Sequence, residues 1–138
     1  EQVMDPEGTV IEEFLPELMH EVTGLDKYFS LIRKGMDEVV QGKKGTARRV
    51  AIDGLRIAGK TGTAQVVKLS QYRHLKEEDI PYKYRDHAWF TCYAPVENPE
   101  IAVTVLVEHG LHGSSGAGPI ARALLNQHFS GRLNQIVE

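Results

Sequence analysis

Residues 55–67 carry the stretch that decides the fold, Leu-Arg-Ile-Ala-Gly-Lys-Thr-Gly-Thr-Ala-Gln-Val-Val. The stretch is rich in β-branched residues, and glycines stand at positions 59 and 62. This composition predicts a strand that another backbone or a ligand approaches closely, because glycine has no side chain in the way. We therefore expect a strand over residues 55–67.

Two more strands are predicted on the C-terminal side of this stretch. Residues 87–94 (HAWFTCYA) and 101–108 (IAVTVLVE) are rich in β-branched and aromatic residues, and Asn98-Pro99 marks a turn between them. The short link predicts an antiparallel hairpin. Because residues 101–108 are largely apolar on both faces, we expect that strand to be buried on both sides, inside a sheet covered by helices.

Helices are predicted before and after the strands. Apolar residues recur with a helical period over residues 25–41, with Thr23 and Asp26 as a capping box and Gly42 as the terminating glycine. Pro119 suits the first turn of a second helix over residues 120–129. The resulting fold class is α/β of the α+β type, an antiparallel sheet with helices on both faces. The polar connection over 68–86 is long enough to suggest a functional role.

Composition excludes several classes of function. The 138 residues suffice for one domain or part of one, and 16 basic against 19 acidic residues give a net charge of −3. This balance argues against nucleic-acid binding, which favours a basic surplus. A single cysteine, Cys92, excludes a disulfide within the chain and a multi-cysteine metal site; its alternation with Phe90 and Ala94 predicts a buried thiol. The longest apolar stretch, 101–107, is too short to span a membrane.

The segment Lys60-Thr61-Gly62-Thr63 is the strongest candidate for chemistry. On a strand it would present an ammonium group, two hydroxyl groups and a gap without a side chain, which together suit a carboxylate laid along the strand. Residues 43–60 contain six basic residues against Asp53 alone, so the same region could carry positive potential. An ordinary exposed strand with a solvated basic face is the alternative interpretation.

Two other motifs are weaker. Gly54 to Thr61 fits the P-loop pattern GxxxxGK[ST], but the residues between its glycines resemble a strand and weak helix formers follow Thr61. His109 and His112 have a spacing seen in metal sites, yet they lie in a glycine-rich loop where no common face is defined. We therefore expect no metal and no cofactor.

The segment Ile57-Ala-Gly-Lys-Thr-Gly-Thr-Ala-Gln65 closely resembles the KTG strand of penicillin-binding proteins, the serine D,D-transpeptidases that crosslink peptidoglycan. Neighbouring segments are similar to the family as well: Gly45-Thr46-Ala47, Asp86-His-Ala-Trp-Phe90 and Ala117-Gly-Pro119. The resemblance covers about residues 28–130 and is strongest to the class B, elongation-type (penicillin-binding protein 2-like) members. It implies a partial penicillin-binding transpeptidase fold.

The resemblance also implies roles for individual residues. Lys60 would be catalytic, with a hydrogen bond to the serine of a separate SxN motif. Thr61 and Thr63 would hold the carboxylate of a terminal D-alanine or of a β-lactam beside Gly62, and the Thr63 N–H would form half of an oxyanion hole. The implied partners are peptidoglycan stem peptides, β-lactams and the cell-wall elongation machinery. The parent protein would be anchored in the bacterial inner membrane, with this part outside the cytoplasm.

One departure from the family pattern is large. None of the five serines has a lysine three residues on or an asparagine two residues on, so both SxxK and SxN are absent from this chain. We therefore expect residues 1–138 to be the C-terminal fragment of one transpeptidase domain, inactive by itself. A P-loop nucleotide-binding protein and a non-catalytic carboxylate- or peptide-binding module are the alternatives.

The predicted strand over 101–108 would have an open edge in such a fragment. Open edges tend to pair with another chain. We expect either self-association through this edge or a substitute strand from the N-terminal segment, whose residues 8–14 are β-rich.

Overall fold

A three-stranded antiparallel sheet forms the centre of the structure, a computed structural model that describes residues 2–15, 17–68, 72 and 74–133. In chain order the elements are β1 (Gln2–Met4), β2 (Val10–Glu13), α1 (Asp26–Gln41), β3 (Ala58–Ala64), β4 (His87–Ala94), β5 (Ile101–Val107) and α2 (Gly118–Leu133). The central sheet has the order β3-β4-β5. Helix α1 packs against β3, and α2 packs against β4 and β5. The predicted class, an antiparallel sheet with helices in an α+β fold, is confirmed.

The β4–β5 hairpin matches the prediction closely. Its register aligns Phe90 with Val105, and on the other side of β4 the same residue is aligned with Thr61 of β3. Strand β3 is shorter than the expected 55–67. Gly54, with φ of 77°, turns the chain before it, and Leu55 forms only an isolated bridge with Ile52.

Helix α1 ends at the predicted residue and begins one residue later than predicted, but its N-terminus is not capped as expected. The residue before it is Leu25, no side chain caps it, and Gly24 turns the chain with φ of 74°, so the predicted Thr23 capping box is wrong. Gly42 does end the helix: its N–H donates to the Glu38 carbonyl at 3.0 Å, in an extended rather than a left-handed conformation. The apolar residues of the first turns are exposed, because no described element packs on them.

The hydrophobic core joins the helices to one face of the sheet. Its largest fully buried side chains are Phe90, Ile57, Leu125, Val40, Val50 and Cys92. Val103 and Val105 of β5 face this core, whereas Thr104 and Leu106 between and beyond them are exposed. The expectation that β5 is buried on both faces is therefore wrong for this chain, since nothing among the described residues covers the second face there.

The N-terminal strands form a separate sheet. β1 and β2 pair antiparallel with each other, with Val3 aligned to Glu12, and neither joins the central sheet. The idea that this segment supplies a substitute strand for the β5 edge is wrong. Neither α1 nor α2 is long and apolar enough to cross a membrane, and the same holds for the other helical segments in the described part of the chain.

Candidate functional site

Strand β3 presents the predicted site at the edge of the central sheet. It pairs with β4 on one side, and no other described strand joins it on the other. Lys60 and Thr63 are exposed, and Thr61 and Gly62 are partly exposed. All four residues are therefore accessible to a ligand that lies along the edge of β3.

The Lys60 side chain folds back onto its own strand. Its Nζ donates a hydrogen bond to the Thr61 carbonyl oxygen at 2.6 Å. None of the ion pairs between described residues includes Lys60. The ammonium charge is thus uncompensated by a nearby carboxylate and can act on a group that approaches the strand.

Arg56 is a different kind of cation, although it belongs to the same basic segment. Its guanidinium donates to Asp37 Oδ2 of α1 at 2.5 Å and to Glu97 Oε1, beyond β4, at 3.0 Å. The hydrogen bond with Asp37 is the main cause that raises the pKa of Arg56 above its ordinary value. Arg56 therefore joins elements of the fold, and the predicted positive potential beside β3 depends on the other basic residues.

The hydroxyl of Thr61 has a partner that sequence reasoning did not assign. Thr46 Oγ1 lies 3.3 Å from Thr61 Oγ1, within hydrogen-bond distance. Thr46 belongs to the Gly45-Thr46-Ala47 segment that contributed to the family resemblance, so the motif itself was the available signal. Lys44 and Thr46 also line an open cavity of about 250 Å³ next to the end of α1.

Gly62 is packed tightly against a neighbouring loop. A Cβ atom added at Gly113 would lie 2.9 Å from both the nitrogen and the oxygen of Gly62, so the backbones touch here. A Cβ added at Gly62 itself would meet Trp89 Cβ at 3.1 Å. The close approach expected at Gly62 is therefore made, in this structure, by the π-helical turn Gly113–Ala117 and by β4.

A second cavity, of about 320 Å³, lies beyond the C-terminal end of β3. Its walls include Val67, Leu75 and Leu111, together with Tyr72 and Tyr84, whose rings stack at 5.3 Å. The 68–86 connection supplies most of this wall. Sequence reasoning marked that connection as functional by its length alone and gave no lining residues.

The two histidines of the loop after β5 bind different partners. The backbone N–H of His109 donates to His87 Nδ1 at 2.9 Å, whereas the ring Nε2 of His112 pairs with Glu77 Oε1 at 2.7 Å. Within the described residues, no group of three potential metal ligands is close together.

The two remaining sequence hypotheses concern Cys92 and the P-loop. Cys92 is buried, as predicted, and burial raises the pKa of its thiol to about 11. The P-loop interpretation is wrong, because Lys60 and Thr61 lie inside β3, aligned with Thr91 and Phe90, and not at the start of a helix.

Comparison with known proteins agrees with this geometry. The protein-family model of the penicillin binding protein transpeptidase domain matches residues 12–126. This chain belongs to the penicillin-binding protein transpeptidase family. The peptidoglycan D,D-transpeptidase MrdA of Haemophilus influenzae is 37% identical over 133 residues, which cover 94% of this chain and 20% of that protein.

Solved structures of the family superpose on the chain. Helicobacter pylori PBP2, in its complex with MreC, has a TM-score of 0.66 and 34% identity, over 82% of this chain and 19% of that one. Pseudomonas aeruginosa PBP2 in complex with WCK 5153 has a TM-score of 0.60 and 33% identity, over 92% of this chain and 23% of that one. The chain thus spans about one fifth of the length of these relatives.

Proposed function

We propose that this chain is the C-terminal part of a transpeptidase domain in a longer protein that crosslinks peptidoglycan stem peptides through an acyl-serine intermediate. The observation that carries the proposal is the Lys60-Thr61-Gly62-Thr63 edge of β3, which is accessible and whose ammonium group forms no ion pair with the described residues. The relatives named above support it, since one is a peptidoglycan D,D-transpeptidase and two are PBP2 proteins.

The strand edge would bind and orient the acyl donor. The hydroxyls of Thr61 and Thr63 donate hydrogen bonds to the carboxylate of a terminal D-alanine, or to that of a β-lactam. The Thr63 N–H supplies one donor of an oxyanion hole. Lys60 contributes a fixed positive charge and a hydrogen bond to a serine of an SxN motif. The nucleophilic serine and its lysine come from SxxK, which this chain does not contain.

The same relatives support a proposal about the setting of the parent protein. We place this part outside the cytoplasm, in a protein anchored in the bacterial inner membrane. The Helicobacter pylori PBP2 structure is a complex with MreC, which supports an association of the parent with the cell-wall elongation machinery. A non-catalytic module for peptide carboxylates is the second candidate, favoured by the absence of SxxK from these 138 residues.

The Lys60→Ala variant of the parent protein tests the proposal. Loss of an electrostatic stabiliser at an acyl-transfer site typically costs on the order of 10²–10³-fold in rate. We therefore expect acylation by a labelled penicillin to slow by roughly that factor. The measurement is the rate of label incorporation at the serine, followed by gel fluorescence and mass spectrometry.

Two controls accompany this measurement. Lys27→Ala, at an exposed lysine of α1, should leave the rate unchanged. The isolated 138-residue chain should incorporate no label, because none of its serines belongs to SxxK. An unchanged rate in Lys60→Ala would remove Lys60 from the active site. Label bound stoichiometrically to the isolated chain would contradict the assignment of the nucleophile to another segment.

A further inference from the structure

The backbone around Thr46 is fixed to the end of α1 on both sides. The Ala47 N–H donates to the Val39 carbonyl at 2.9 Å, and the Ala47 side chain is fully buried. On the other side, Gly45 lies so close to α1 that an added Cβ would collide with the carbonyl oxygens of Val39 and Glu38. The backbone of Thr46 is therefore held in a defined position at the surface, from which its hydroxyl reaches Thr61 of β3.

The direction of the hydrogen bond between the Thr46 and Thr61 hydroxyls decides whether Thr61 can donate to a ligand. A threonine hydroxyl has one hydrogen to donate and can accept through its lone pairs, so only one of Thr46 and Thr61 donates to the other. If Thr61 donated to Thr46, its oxygen would offer only lone pairs to a ligand. A carboxylate accepts hydrogen bonds and donates none. A carboxylate at Thr61 thus requires the Thr61 hydrogen, and the only bond left for the pair runs from Thr46 to Thr61.

We propose that Thr46 is a positioning residue for carboxylate recognition: its hydroxyl donates to Thr61 Oγ1 and so directs the Thr61 hydrogen towards the ligand carboxylate. The proposal rests on the function proposed above, which places the carboxylate at Thr61. Accepting a hydrogen bond also polarises the Thr61 hydroxyl and makes it a stronger donor. Thr46 does this without contact with the reacting carbonyl group.

The test compares acylation of the parent protein by benzylpenicillin and by its methyl ester, whose carboxylate charge is removed. Thr46→Val keeps the shape of the side chain and removes the hydroxyl. It should lower the acylation rate constant for benzylpenicillin roughly twofold to tenfold, the range for one hydrogen bond, and leave that for the ester unchanged. Thr46→Ser should restore the wild-type preference for the acid.

A double-mutant cycle separates action through Thr61 from other effects. In a Thr61→Val background, Thr46→Val should have no further effect on the preference for the acid over the ester. Thr104→Val is the matched control, because it removes the β5 member of another exposed hydroxyl pair, Thr91 and Thr104 at 3.1 Å. It should leave the preference intact.

The outcomes distinguish the two proposals. If Thr61→Val lowers the preference for the acid and Thr46→Val does not, the positioning role of Thr46 is wrong and the proposed function stands. If Thr46→Val lowers both rates equally, its effect is structural and the positioning role is also wrong. If Thr61→Val leaves the preference unchanged, the proposed carboxylate site itself is wrong.

Discussion

Lys60 and Arg56 show how one basic segment divides into two physical roles. Arg56 is bound by two carboxylates from different parts of the fold, so its planar fork acts as a clamp. Lys60 donates a hydrogen bond to a carbonyl oxygen of its own strand, and it forms no ion pair with any residue that the structure describes. A charge count along the chain gives these residues the same weight. Only their surroundings show which of them is available to a ligand.

Cys92 leads to a prediction about alkaline pH. Burial raises the pKa of its thiol to about 11 in the folded state, above the ordinary thiol value of 9.0 that applies when the chain unfolds. Between these values the unfolded state loses the proton while the folded state keeps it, so the free energy of unfolding falls as pH rises. The loss attributable to Cys92 should approach about 1.4 kcal/mol per pH unit.

Other groups also titrate in this range, so a variant supplies the reference. Urea unfolding of the wild-type parent protein and of Cys92→Ala should be followed from pH 8 to pH 11. The stability of the wild type should fall more steeply with pH than that of the variant. Parallel curves would show that the Cys92 thiol ionises equally in the folded and unfolded states.

At the scale of elements, the segment after α1 determines where β3 lies. The backbone N–H groups of Gly42, Gly45 and Ala47 all donate hydrogen bonds to carbonyl oxygens at or near the helix end. Gln41 Nε2 reaches the Ile57 carbonyl at 3.5 Å, just before β3. The Arg56 clamp then joins α1 to Glu97, beyond β4. These contacts fix the β3 edge relative to α1, and with it the Thr46–Thr61 pair.

Two glycine substitutions test this arrangement. A Cβ at Gly45 would lie 2.6 Å from the Glu38 carbonyl oxygen, so Gly45→Ala requires the backbone to move and should destabilise the parent protein by about 1–3 kcal/mol. Gly35 is inside α1 with open space around it, so Gly35→Ala should stabilise by up to about 1 kcal/mol. Chemical denaturation measures both changes. Equal effects would show that the contact at Gly45 does not restrict the fold.

The same elements show which parts of the fold can be predicted from the sequence. Helical periodicity predicts α1 almost to the residue, and two β-rich runs with a short link predict the β4–β5 hairpin. Both signals are local. The Thr46–Thr61 pair and the Arg56 clamp join residues 15 or more positions apart, and no local pattern specifies that distance. The Thr23 capping box failed because Gly24 turns the chain before a cap can form.

At the scale of the whole molecule, the described residues cover the β4–β5 hairpin on one face only. The core side carries Phe90 and Val105, whereas Trp89 and Leu106 on the other side are 38% and 45% exposed. Strand β5 pairs only with β4 among the described residues, so its second edge carries unpaired backbone groups. A strand edge beside apolar side chains is a surface that tends to pair with another chain.

We therefore predict that the 138-residue chain associates with itself through β5. Its mass measured by light scattering should rise with concentration. Leu106→Lys should reduce the association, because a lysine beside an open strand edge opposes pairing. Leu124→Lys on α2 is the matched control, at a leucine of similar exposure away from this edge. Deleting residues 1–20 should leave the association unchanged, since β1 and β2 form their own sheet. A chain that stays monomeric at all concentrations, or an association that Leu124→Lys reduces as much as Leu106→Lys does, would show that the β5 edge is not the contact.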